Sequence, residues 1–96
     1  MGAGEGGGEA VTYGLALKGS AEKEFSHLPP EVLKRVGAAI EALKDNPRPP
    51  GVESLAGQLR GLHRIRVGDY RIMYQVDDRA HSITVTRIGH RGKVYQ

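Results

Sequence analysis

The sequence predicts an α+β domain in the order β-α-α-β-β-β: an antiparallel twisted sheet with an N-terminal helical hairpin packed on one face. Three observations point to it. Apolar and polar residues alternate in four stretches, Val11–Leu17, Leu59–Val67, Tyr70–Val76 and Ser82–Ile88. Between the first two, apolar residues recur at helical spacing, and a Pro29-Pro30 pair splits that region into two helices. At 96 residues the chain fits one small domain with a single core.

Residues 1–10, MGAGEGGGEA, hold no side chain able to anchor a core, and glycine at this density loses much backbone freedom on ordering. They are expected to form a flexible leader, with the folded domain over residues 11–96. In the first strand Tyr13, Leu15 and Leu17 oppose Thr12, Gly14 and Ala16. Gly19-Ser20 stops it, Ser20 is placed to cap the next helix, and Ala21, Phe25 and Leu28 fall on one helical stripe. The second helix is predicted over Pro30–Lys44. Proline suits its first turn, Glu31 lies near the positive end of its dipole and Lys44 near the negative end. Val32, Val36, Ile40 and Leu43 form its buried stripe, with Leu33 beside them.

The stretch NPRPPGVESLAG, from Asn46 to Gly57, reads as a loop anchored by Leu55. The two strands that follow meet at Gly68-Asp69. Glycine first in a two-residue connection suits a type II′ turn, so Leu59–Val76 reads as a tight hairpin. His63, Ile65, Val67, Tyr70, Ile72, Tyr74 and Val76 make its apolar face; Arg64, Arg66 and Arg71 stand on the other. Asp77–His81 is a polar turn, and Ser82–Ile88 a further strand. Ile88 breaks the alternation of Ile83 and Val85, which predicts a bulge or strand end near Arg87.

Charge sharpens this picture. Residues 1–59 carry six Lys/Arg against eight Asp/Glu, net −2, and residues 60–96 carry eight against three, net +5. A field of that sign over the sheet draws polyanions, nucleic acid first. No apolar run is long enough to cross a bilayer and no secretory signal is present, so a cytoplasmic protein is expected. The absence of cysteine agrees with a reducing compartment.

The common hydrolytic motifs are missing: no HExxH, no cysteine nucleophile, no G-x-S-x-G and no P-loop. His27, His63, His81 and His90 lack the spacing of a zinc site, and His63, on the apolar parity, reads as a satisfied core or edge histidine. What remains is Arg64, Arg66 and Arg71 on the hairpin and His90, Arg91, Lys93 and Tyr95 after the last strand. Like charges on neighbouring strands repel unless an anion meets them. Guanidinium forks suit phosphate oxygens and stabilise the extra charge of a pentavalent transition state. RNA supplies its own nucleophile, the 2′-hydroxyl, and needs a proton acceptor and a donor. A phenol such as Tyr95, with an ordinary pKa near ~10, is a poor base that neighbouring cations improve. His90 is the more conventional proton carrier. Tyr95 also fits simple packing on the sheet, and the residues alone leave these alternatives open.

The segments LHRIRVGDYRIMYQV and ITVTRIGHRGKVY, preceded by LPPEVLKRVGAAIEALKDNP and SLAGQLRG, resemble the RelE-type toxins of bacterial and archaeal toxin–antitoxin pairs. The resemblance runs from Tyr13 to Tyr95. It implies an mRNA interferase that enters the ribosomal A site, cuts the exposed codon and leaves a 2′,3′-cyclic phosphate, thereby stopping translation. It implies a catalytic set of Arg64, Arg66, Arg71, Arg91 and Tyr95, with Arg60, His90 and Lys93 binding RNA, and neither metal nor cofactor. Its implied partners are a cognate RelB-like antitoxin, the ribosome and mRNA, with no membrane, and a toxin–antitoxin complex that binds operator DNA through the antitoxin. The chain stops one residue after Tyr95, so the short C-terminal helix of some relatives is not expected. Two other readings share the fold: a ParE-like inhibitor of DNA gyrase, and a basic RNA-binding domain without catalysis.

Overall fold

The computed structural model describes residues 12–55 and 61–90. The expected leader at residues 1–10 and the site assignments made for Arg60, Arg91, Lys93 and Tyr95 lie outside them. Element order is β1 (Gly14–Leu17), α1 (Gly19–Ser26), α2 (Pro30–Leu43), β2 (Glu53–Ser54), β3 (Leu62–Val67), β4 (Tyr70–Asp77) and β5 (Ser82–His90). Among the described residues, five strands form one sheet in the order β1-β5-β4-β3-β2.

Each helix forms where the apolar stripe requires it. In α2, Val36, Ile40 and Leu43 are buried and Val32 packs against them. Burying each such side chain contributes about 1.5–3 kcal/mol, far more than the intrinsic propensity of the segment. Pro30 opens the helix, and the carbonyl of Pro29 accepts the Leu33 N–H at 2.8 Å. At the other end the Lys44 carbonyl accepts from Tyr13 N–H at 2.9 Å, which ties the start of the sheet to the end of α2. In α1, Ala21 is fully buried, with Phe25 packed against the core and Leu28 beyond the helix end. Ser20 does not cap this helix. Lys18 holds the cap position, and Ser20 is the second residue of the helix, where its hydroxyl donates to the Thr86 carbonyl at 3.2 Å.

The sheet's helix-facing side carries Leu15, Leu17, Ile65, Ile72, Tyr74, Ile83, Val85 and Ile88, which join α1 and α2 in one core. The sheet is antiparallel except at one place: β1 pairs parallel with β5, with Leu15 beside Ile83 and Leu17 beside Val85. No turn joins these two strands, and a period of two reads the same in either direction, so alternation alone does not fix their relative sense. The proline loop also differs from expectation. Val52, rather than Leu55, packs against the core, and Glu53–Ser54 adds a two-residue strand against β3. Leu55 contributes its backbone, donating to the Leu62 carbonyl at 2.9 Å. Among the described residues, no helix is long and apolar enough to cross a membrane.

Candidate nucleic-acid interface

The hairpin β3–β4 is in the register its turn dictates. Val67 pairs with Tyr70, and Gly68 alone within the connection has positive φ, at 60°, as a type II′ turn requires at its first position. A Cβ there would also stand 3.2 Å from Nη2 of Arg35 on α2, which would have to shift slightly to admit it. From this closing pair the alternation runs inward. Ile65 faces Ile72 on the helix side, while Arg66 faces Arg71 and Arg64 faces Met73 on the side away from the helices.

The structure thus brings Arg64, Arg66 and Arg71 to one face. The Arg66–Arg71 pair sits one step from the hydrogen-bonded pair at the turn, the position where opposed side chains come closest in an antiparallel ladder. On the next strand Arg71 faces Gly89, which has no side chain to compete for the space. Met73, between Arg64 and Arg87 in the register, is only 3% exposed, so apolar material lies beside the guanidinium groups. Low polarisability of that kind strengthens their field on an incoming anion.

One acid joins this face, and the sequence reading missed it. Glu53 of β2 stands opposite Arg64 in the register, and its Oε1 accepts from Arg64 Nη2 in a salt bridge. The hydrogen bond from Arg64, then that residue's charge, and more weakly Arg66 and Arg71, hold the Glu53 carboxyl below the usual carboxylate range. Only the pairing of VES with β3 reveals this, because the segment lies in a proline-rich stretch with no strand periodicity of its own.

His90 is not brought to the arginines. The pairing of β4 with β5 shifts between Met73 and Tyr74, so that Tyr74 faces Val85 whereas Met73 faces Arg87, and Thr86 is the extra residue. The bulge foreseen near Arg87 is therefore present. Its consequence is a change of face: one inserted residue turns Ile88 into the core and His90 onto the same side. His90 lies opposite Tyr70, with ring centroids 5.3 Å apart in an edge-to-face contact, and the ladder separates it from Arg71.

The bulge is braced from α1. Glu24 Oε2 accepts from Arg87 Nε at 3.0 Å and its Oε1 accepts the Ile88 N–H at 2.7 Å, just past the end of β1. The carboxylate thus takes the place of the missing neighbouring strand. His63 is buried as its parity predicts, with its ring 5.5 Å from that of Tyr74, but it is not satisfied: among the described residues neither ring nitrogen has a hydrogen-bond partner.

Residues 15–95 match the family described as the ParE toxin of the type II toxin–antitoxin system parDE. Toxin RelE of Mycobacterium tuberculosis is 32% identical over 88 residues, covering 88% of this chain and 87% of that protein. The toxin–antitoxin complex RelBE2 of the same organism contains a chain that superposes with a TM-score of 0.75 at 28% identity, covering 88% of this chain and 98% of that one. A chain of the RelE–RelB complex of Pyrococcus horikoshii OT3 gives 0.74 at 28% identity, covering 86% and 99%. The extent of these matches and the shared strand-and-helix plan lead to one conclusion: the chain belongs to the RelE/ParE family of type II toxin–antitoxin toxins.

Proposed function

We propose that this toxin is a ribosome-dependent mRNA endonuclease that cuts A-site codons. The observation that carries the reading is the sheet face away from the helices, on which Arg66 and Arg71 stand opposed with Arg64 two pairs further along the ladder. Two guanidinium groups on one side of a ladder repel each other and gain from a shared phosphate. In the reaction the 2′-hydroxyl attacks the adjacent phosphorus, the bond to the 5′-oxygen breaks, the departing oxygen takes up a proton relayed by solvent water, and a 2′,3′-cyclic phosphate and a 5′-hydroxyl result. Arg64, Arg66 and Arg71, with Arg91, stabilise the charge gathered on the phosphoryl oxygens, and Tyr95 accepts the 2′-hydroxyl proton. Arg60 and Lys93 hold the flanking backbone. His90, on the Tyr70 side, is left to contacts at the strand end.

A RelB-like antitoxin is the proposed partner, in line with the solved toxin–antitoxin complexes that this chain resembles, and the complex binds operator DNA through that partner. The cytoplasm, where ribosomes and mRNA are, is the proposed site of action. The named relatives are RelE toxins, which favours RNA over gyrase as the target. The test is translation in a cell extract with mapping of mRNA 5′ ends: codon-associated cuts that vanish in Arg71→Ala support the reading. Intact mRNA beside inhibited DNA supercoiling by purified gyrase would replace it with the gyrase reading, and salt-sensitive RNA binding without cuts with the non-catalytic one.

A further inference from the structure

The acid on the arginine face invites a question about regulation of the proposed site. Of the Arg64–Glu53 pair, the guanidinium is the inner member, with 18% of its side chain exposed, and the carboxylate the outer, at 57%. Glu53 rises from a strand of only two residues, so its side chain moves away without unzipping a long ladder. A carboxylate and a phosphate present a guanidinium with the same kind of paired acceptors. The carboxylate also lies within the fields of Arg66 and Arg71, as the lowering of its pKa by both shows.

We infer that Glu53 is a built-in competitor of RNA: its carboxylate occupies the Arg64 guanidinium that a backbone phosphate takes, and phosphate entry displaces it. The inference rests on the proposed RNA-binding role of this face and adds a restraint to it. With Glu53 in place, the toxin discriminates against loose attachment to any passing polyanion, and only a strand presented with several phosphates in register repays the lost ion pair.

Fluorescence anisotropy of a labelled oligouridylate, titrated at several salt concentrations, tests this. Glu53→Gln is expected to bind roughly 1.5- to fivefold more tightly at low salt, as removal of a competing, largely exposed ion pair allows. The gain should shrink as salt is added, because screening weakens both the hold of the carboxylate on Arg64 and its repulsion of phosphate, so the salt dependence of the variant should be the steeper one. Most of the gain should disappear in an Arg64→Ala background. Glu53→Ser serves as a second variant should the glutamine form misfold. Equal affinity and slope for wild type and both variants, on an RNA that all of them bind, would overturn the inference alone. Absence of RNA binding by every form would remove the RNA reading of the face together with it.

Discussion

Arg66 stands directly opposite Arg71 across the β3–β4 ladder, and no acid forms a salt bridge with either among the described residues. Like charges at opposed positions cost folding stability, and on the proposed reading the same pair holds the RNA phosphate. Replacing either with glutamine should therefore leave the thermal midpoint unchanged or raise stability by a few tenths of a kcal/mol, roughly 0.2–1 at most. The same change should reduce mRNA cutting at least about tenfold, in keeping with loss of one preorganised charge at a reacting phosphate. Parallel differential scanning and primer-extension assays read the two effects; loss of both fold and activity would mark the pair as structural.

Glu24 braces the bulged edge of β5. Glu24→Ala removes the acceptor of the Ile88 N–H and the ion pair to Arg87 together, and should destabilise the domain by roughly 1–2 kcal/mol, the range for a partly exposed charged hydrogen bond. Urea denaturation measures the loss. Hydrogen exchange at the Ile88 amide should quicken more than exchange in β3.

The Tyr74 hydroxyl donates to the Pro47 carbonyl at 2.6 Å and pins the proline loop to the core. Burial pushes this phenol up to about 12 from an ordinary 10.0. The folded state therefore holds the proton more tightly than the unfolded one, so stability is complete below the ordinary value and falls as pH rises from there through the folded value. The hydrogen bond to Asp78 raises the Tyr13 phenol as well, so spectrophotometric titration of the Tyr13→Phe protein should find the Tyr74 phenol ionising late or together with unfolding. Tyr74→Phe should remove that feature and cost about 1 kcal/mol at neutral pH.

Asp78 ties three segments at the far end of the sheet. Arg48 forks onto it at 3.2 and 3.0 Å, and the Tyr13 hydroxyl donates to it at 2.8 Å. The hydrogen bond from Arg48 and then that from Tyr13 hold its carboxyl below the ordinary 3.8. A depressed carboxyl contributes stability that is present above the ordinary value and lost as pH falls through the folded one. Thermal scans should show Asp78→Asn lowering the midpoint near neutrality, with the gap to wild type closing in strong acid.

His63 is buried with neither ring nitrogen paired among the described residues. Replacing an unsatisfied polar ring with an apolar side chain of similar bulk removes a desolvation cost of about 1–3 kcal/mol. His63→Leu should thus match or exceed the wild-type thermal midpoint. A clear drop would show that the ring's contact with Tyr74 outweighs its unmet polarity.

Much of this fold is legible in the chain because its determinants are local. Alternation specifies a strand with two unlike faces wherever it occurs, the stripe of Val36, Ile40 and Leu43 specifies a helix with one buried side, and Gly68 specifies the turn that fixes the hairpin register. Arg64, Arg66 and Arg71 follow from these: the turn pairs Arg66 with Arg71, and Arg64 lies two residues before Arg66, so the three must share a face.

Contacts between distant segments were decided only in three dimensions. Nothing in the residue order sets β1 parallel to β5, lays Glu53 against Arg64 or brings Glu24 to the edge of β5, because each joins pieces with no turn between them. His90 shows the limit most plainly. Its parity in an unbroken strand would place it with the arginines, and the single residue inserted at Thr86 carries it to the Tyr70 side. A strand's pattern dictates which residues travel together; the pairing with its neighbour dictates which side of the sheet they reach.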